Sequence, residues 1–172
     1  ASGKVIDLIN DEEYAPLRNE NMTGAFVGKV REEYENILSD ICDKCCDTVL
    51  FASDQANRIT EEILKKYDVA PDFPWEQSRF QSYGTFRHSD SRKWFALIMN
   101  IKWDALLKNK NSDTTDVINL KINPENSGKL TENPGIYPGY HMNHRNWVSV
   151  VLNDTLSDDA VMKLVDTSFS LT

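Results

Sequence analysis

Apolar residues recur at steps of three and four from Phe26 through Val30, Tyr34, Ile37, Leu38 and Ile41 to Cys45. That spacing puts them on one face of a helix over about residues 25–46. Glu32, Glu33, Glu35, Asp40 and Asp43 fall on the other faces, and Thr23 is placed to cap the start. A second stripe, Ala56, Ile59, Ile63 and Tyr67, predicts a helix opened by Ser53 or Asp54 and stopped ahead of Pro71. Val5, Ile6, Leu8 and Ile9 make a short strand-like start before these helices, followed by an acidic connector with Pro16.

From Phe80 the period changes. Tyr83 to His88 predicts a strand, and Lys93 to Ile101 a longer one whose nearly unbroken apolar run suits burial on both faces. H-S-D-S-R between them has the length of a hairpin turn. Residues 71–79, with two prolines and a Trp, predict a loop, and Lys108 to Thr115 a polar, flexible one. Val117 to Ile122 alternates cleanly, with Ile118, Leu120 and Ile122 on one side. Pro124 starts a short helical turn through Leu130, and Asn133 to Tyr140 predicts loop. Trp147 to Leu152 predicts a last strand. Ser157 then caps a C-terminal helix whose first turn holds two acids, as the helix dipole favours. Val161, Leu164, Val165 and Phe169 form its stripe. Helix, antiparallel strands, then helix is the order of an α+β domain with helices packed on one sheet face.

Composition narrows the class. The 172 residues suit one domain with an extension, and 40% apolar with 10% aromatic content supports a real core. No apolar run approaches the roughly 18–20 residues of a membrane span, and no basic-then-apolar leader opens the chain. The expected location is cytoplasmic. Cys42, Cys45 and Cys46 are three cysteines at helical spacing, a poor disulfide framework. Without a second Cys pair they form no ribbon-type zinc site, and the spacing beside the apolar stripe favours packing. Net charge is −8, unevenly spread: residues 1–74 carry −8, residues 75–150 carry +3 and residues 151–172 carry −3. An acidic protein repels phosphate at long range, while its basic middle can still dock on a nucleic-acid backbone.

Three blocks are distinctive: Y-P-G-Y-H-M-N-H-R-N-W at Tyr137 to Trp147, K-W-F-A-L-I-M at Lys93 to Met99, and I-N-L-K-I-N-P at Ile118 to Pro124. Together they resemble the MmcQ/YjbR family (DUF419), small bacterial proteins described as DNA-binding and without an established reaction. The resemblance covers about Ser53 to Leu171. It implies an α+β fold related to frataxin, CyaY-like, with a double-wing DNA-binding arrangement. Residues 24–52 resemble the extra region of longer Gram-positive members. In those, more sequence precedes this point, which implies a segment ahead of Ala1. The expected organisation is an N-terminal extension over 1–52 and an MmcQ/YjbR-like domain over 53–172. One departure stands out. The family commonly reads N-K-x-H-W, whereas this chain has His144 and Arg145 after Asn143 and Asn146 directly before Trp147. A catalytic role for the family histidine is thereby put in doubt, while Arg145 keeps a cation nearby.

The candidate nucleic-acid contacts are Arg87, Arg92, Lys93, Lys121, Asn143, His144 and Arg145. Cations reach phosphates, and Asn143 and His144 reach phosphates or base edges. R-H-S-D-S-R-K has the composition of a wing that touches backbone or minor groove, and equally that of a solvated turn. For His141 and Asn143 the local reading is preferred, in which they bond to backbone in a tight loop ordered by Pro138 and Gly139. Trp94 and Trp147 begin strands and read as core, while Trp75, in a loop, reads as exposed. Carboxylates such as Glu32, Glu35, Asp54, Glu61 and Glu62 suit hard cations, although acidic helix faces usually serve solvation. His141 and His144 lack a further ligand for zinc. No nucleophile–base pair, phosphate loop or paired-carboxylate motif stands out, so no catalysis, metal or cofactor is expected. The expected partner is DNA, bound weakly and salt-sensitively. The alternative is a protein- or small-ligand-binding module, in which the acidic N-terminal helices take a basic protein partner. No membrane partner is expected.

Overall fold

Residues 2–46, 49–77, 80 and 82–172 are described in the structure, a computed structural model. They fall into two units, Ala1–Thr48 and Val49–Thr172. Phe51, buried in the core of the second, belongs with it.

In the first unit a small hairpin, β1 (Ile6–Asp7) with β2 (Glu12–Glu13), precedes a 21-residue helix, α1 (Ala25–Cys45). Gly24, with φ of 141°, occupies the cap position expected of Thr23, and no side chain caps the start. The apolar stripe forms as its spacing requires, yet no residue of α1 is buried, and Phe26 remains 70% exposed. Polar bonds to backbone hold this unit instead. The Arg31 guanidinium donates to the carbonyls of Pro16, Asn19 and Met22, and the Tyr34 hydroxyl donates to Gly3. Cys42, Cys45 and Cys46 are all exposed, against the packing expected of them. The stripe beside them is exposed or half-buried along its length.

The second unit is built on a sheet. Helix α2 (Asp54–Tyr67) opens at Ser53, whose hydroxyl accepts from the Ala56 N–H, and closes at Asp68 in the left-handed conformation. Strands β3 (Gly84–Arg87) and β4 (Trp94–Lys102) form the predicted hairpin. A one-turn helix, α3 (Asp104–Leu107), and then β5 (Thr114–Lys121) follow. The latter begins earlier than its alternation predicts because Thr114, Thr115 and Asp116 pair with Lys102, Ile101 and Asn100. A 3₁₀ turn at Pro124–Asn126 leads into α4 (Ser127–Thr131). Ile136–Pro138, expected as loop, is β6, because it pairs with Val148–Val150 of β7 (Trp147–Val151). Helix α5 (Asp158–Ser170) opens at Ser157 as predicted. The expected loop at 71–79 is described only as far as Gln77.

Among the described residues the sheet is five-stranded and antiparallel, in the order β3-β4-β5-β7-β6. Strand alternation gives it two faces. Phe86, Phe95, Ile98, Ile118, Leu120, Val148 and Val150 point toward α2 and α5, meeting Ala56, Ile59, Ile63, Val161 and Val165. Burial of each large member stabilises by roughly 1.5–3 kcal/mol. Asp116, 2% exposed, ties sheet to helix: its carboxylate accepts from the Ser53 N–H at 2.6 Å and from Asn100 Nδ2 at 2.7 Å. The opposite face holds Leu97, Met99, Ile101, Val117 and Val151. Half-buried side chains from loops and from the start of β4 roof it, among them Trp75, Tyr83, Trp94, Tyr140 and Met142.

Candidate nucleic-acid interface

Antiparallel pairing decides where the candidate residues fall. Arg87 ends β3 opposite Trp94, which begins β4, and Lys121 ends β5 opposite Trp147, which begins β7. Arg92 and Lys93 lie in the β3–β4 turn and Asn143 to Arg145 just ahead of β7. All seven therefore sit at one end of the sheet. From β3 to β7 is three strand spacings, roughly 14 Å.

The side chains differ in how free they are. Arg87 Nε donates to Asp72 Oδ2 at 2.9 Å, and the guanidinium lies 5.0 Å from the centre of the Trp94 ring. Arg92, in the left-handed conformation that closes the turn, is 3.7 Å from the same carboxylate oxygen. Asp72 thus partly neutralises two of the candidate cations. Its Oδ1 is buried and has no hydrogen-bond partner among the described residues. Asp90, at the tip of the turn, accepts the Ser91 N–H and then its own, which hold its carboxyl below the ordinary range. Lys121 Nζ donates to the Leu171 carbonyl at 3.1 Å. Lys93, His144 and Arg145 are exposed.

Asn143 is used locally. Its Oδ1 accepts the Arg145 N–H at 2.9 Å, and its carbonyl accepts from the N–H groups of Asn146 and Trp147. Just before it, His141 has φ of 55°. Gly139 is where a side chain cannot fit, since a Cβ there would lie 2.8 Å from the Trp147 Cβ and 2.9 Å from its carbonyl oxygen. The Tyr140 N–H donates to Ser149 Oγ, that hydroxyl donates to Asn119 Oδ1, and Asn119 Nδ2 donates to the Tyr140 carbonyl. This closed ring of bonds folds 140–142 over the sheet face opposite the helices. The Y-P-G-Y-H-M-N stretch is thus a roof as well as an edge.

Trp75, read as exposed, is half-buried. It meets Trp94 at 5.7 Å and 81° and Tyr83 at 6.1 Å and 80°, edge to face in both cases. Trp94 and Trp147, read as core, are half-buried too, because they begin strands at the open end of the sheet. Two adjoining hollows open on this face. One, about 240 Å³, has Leu97 and Met99 as its floor and Trp75, Trp94 and Tyr140 in its walls. The other, about 440 Å³, runs toward Asn100, Lys102 and Thr114. Sequence reasoning missed both, since the unbroken apolar run of β4 does not reveal that, among the described residues, loop side chains and the short α3 pack on one of its faces in place of a long helix. It also missed the Asp72–Arg87 pair, whose partners are separated by a loop without periodic signal. Among the described residues no group of three or more His, Cys, Asp or Glu is arranged to hold a metal ion. No described helix is long and apolar enough to cross a membrane.

The sequence profile of the YjbR family matches residues 64–171. The chain belongs to the YjbR family. The uncharacterized protein YyaQ of Bacillus subtilis (strain 168) is 37% identical over 114 residues, spanning 66% of this chain and 94% of YyaQ. The uncharacterized protein YbdF of Escherichia coli O157:H7 is 39% identical over 56 residues, 31% of this chain and 45% of YbdF. A crystal structure from Pseudomonas syringae is 41% identical, with a TM-score of 0.63 over 70% of this chain and 99% of that one. The YjbR membership and α+β fold implied by the three sequence blocks are therefore both observed.

Proposed function

We propose that this YjbR protein is a non-catalytic nucleic-acid-binding accessory or regulatory protein that docks phosphates on the cationic end of its sheet. One observation carries the reading: strand register gathers Arg87, Arg92, Lys93, Lys121 and Arg145, scattered over 59 positions of sequence, at one sheet end. Their span of roughly 14 Å matches about four phosphates of one strand at ~3.4 Å of axis each. The net charge of −8 makes binding weak and salt-sensitive.

The test is fluorescence anisotropy of a labelled mixed-sequence nucleic acid at low and moderate salt, with a Lys93→Ala/Arg145→Ala variant alongside. Four contacts predict a log–log salt slope near −3.6 on duplex, at ~0.9 per contact. The double variant should lose about two units of it. Absence of binding at low salt by folded protein would remove this reading.

A second reading has its own support. The apolar face of α1, none of it fully buried, lines a cleft of about 580 Å³ with Phe26, Val30, Tyr34, Ile37 and Ile41. Glu32, Glu35, Asp40 and Asp43 occupy the remaining turns, so a basic amphipathic segment of another protein would suit it. Titration with a Lys-rich amphipathic peptide, against an Ile37→Glu variant, tests that reading.

A further inference from the structure

We infer that the nucleic acid bound is an unpaired strand, one of whose bases enters the hollow between Trp75, Trp94 and Tyr140. This inference rests on the nucleic-acid reading above and names the form of ligand that the same end of the sheet takes.

The two sheet faces close in different ways. On the helix side the aromatic cluster is shut by Tyr67 stacked on Phe169, with centres 4.1 Å apart and planes 15° apart. On the open face Trp75 is met edge-on by its two ring neighbours and has no face-to-face partner among the described residues. A flat ring entering the hollow would supply the missing stack, while Leu97 and Met99 beneath offer an apolar floor. The volume, about 240 Å³, lies below the ~300–1,000 Å³ of sites for drug-sized molecules, so it suits one ring system and little more.

Charge beside the Trp94 wall narrows the chemistry further. The Arg87 guanidinium lies over Trp94, a wall of this hollow, and Lys93 precedes that residue in the chain. A ligand with its ring against Trp94 therefore shares that wall with the Arg87 guanidinium, which itself lines a separate hollow with Asp72 and Arg92. Ring and anion in that order describe one nucleotide of a strand whose backbone continues along the cationic end. His141, in the wall, adds a group able to bond a base edge. A duplex cannot use the hollow, because its bases are already stacked and paired. An unpaired strand can, since every base has a π-face.

The experiment compares a labelled mixed-sequence single-stranded DNA with its own duplex, using the full chain and Trp75→Leu, which keeps apolar bulk and removes the ring. Circular dichroism checks that the variant is folded. The expected result is preference for the single strand, with Trp75→Leu weakening it about 5- to 150-fold, the worth of one stacked base, and leaving duplex affinity unchanged. Quenching of the native protein's tryptophan fluorescence by the unlabelled single strand is the second readout, and it stands even where the variant fails to fold. Equal affinity for both forms, an unaffected folded variant, or absence of quenching on binding would overturn the inference while leaving the docking end in place. Failure to bind either DNA would overturn both.

Discussion

Replacing Asp72 with Asn separates two effects that ordinarily move together. Its carboxylate accepts from Arg87 at 2.9 Å and lies 3.7 Å from Arg92, so two guanidiniums share one negative charge. Arg87 is 21% exposed at its side chain and Asp72 43%, which places the pair at the surface end of the scale. Loss of the pair should destabilise the fold by about 1 kcal/mol after solvent screening. The Arg87 side chain should stay in place, because its contact with the Trp94 ring persists at ~0.5–1 kcal/mol. Phosphate docking should respond in the opposite direction. The cluster changes from a net charge of one to two, equivalent to one more phosphate contact. At ~0.9 per contact the salt slope steepens by about one unit, and affinity at 0.1 M salt rises about eightfold. Urea unfolding measures the first effect and anisotropy over a salt series the second. A variant that loses stability and affinity together would refute the reasoning, because Asp72 would then be positioning Arg87 for the ligand rather than masking it.

Other perturbations test the scaffold. Asp116→Ala leaves the Ser53 N–H and the Asn100 amide without their acceptor at a site 2% exposed. It should cost about 3–5 kcal/mol in urea unfolding, and a loss under ~1 kcal/mol would contradict this account of how α2 is anchored. Gly139→Ala drives a Cβ against the Trp147 backbone. It should destabilise by about 1–3 kcal/mol and loosen the roof formed by 140–142, seen as a change in tryptophan emission. The hydrogen bonds of Arg58, reinforced by Gln55, hold the Asp158 carboxyl below its ordinary value. A depressed carboxyl contributes stability above its unfolded pKa and loses it as pH falls through the folded one. Arg58→Met should therefore melt lower than the native chain at pH 7, with the gap narrowing as pH drops below 3.8. A gap constant across that range would show that the pair does not titrate as described.

Local pattern determined a good deal. The step of three and four fixed α1, α2 and α5, since a one-face stripe is stable only as a helix. Ser157 marked one start and Ser53 or Asp54 another, and Ser53 is the cap because its hydroxyl satisfies an otherwise unbonded N–H. The alternation at 117–122 identified β5, and three short blocks identified the family. These signals work because each is written in neighbouring residues. What partners do is not. Ile136–Pro138 is a strand only because β7 offers it an edge. The stripe of α1 looks like a core face, yet none of its residues is fully buried. Burial of Trp75, like the shared carboxylate of Asp72, arises between segments that the sequence sets apart. The cations at 87, 92, 93, 121 and 145 could be named from composition, but only antiparallel register brings them to one end. Residue type sets the chemistry available, and the pairing of distant strands decides which groups meet.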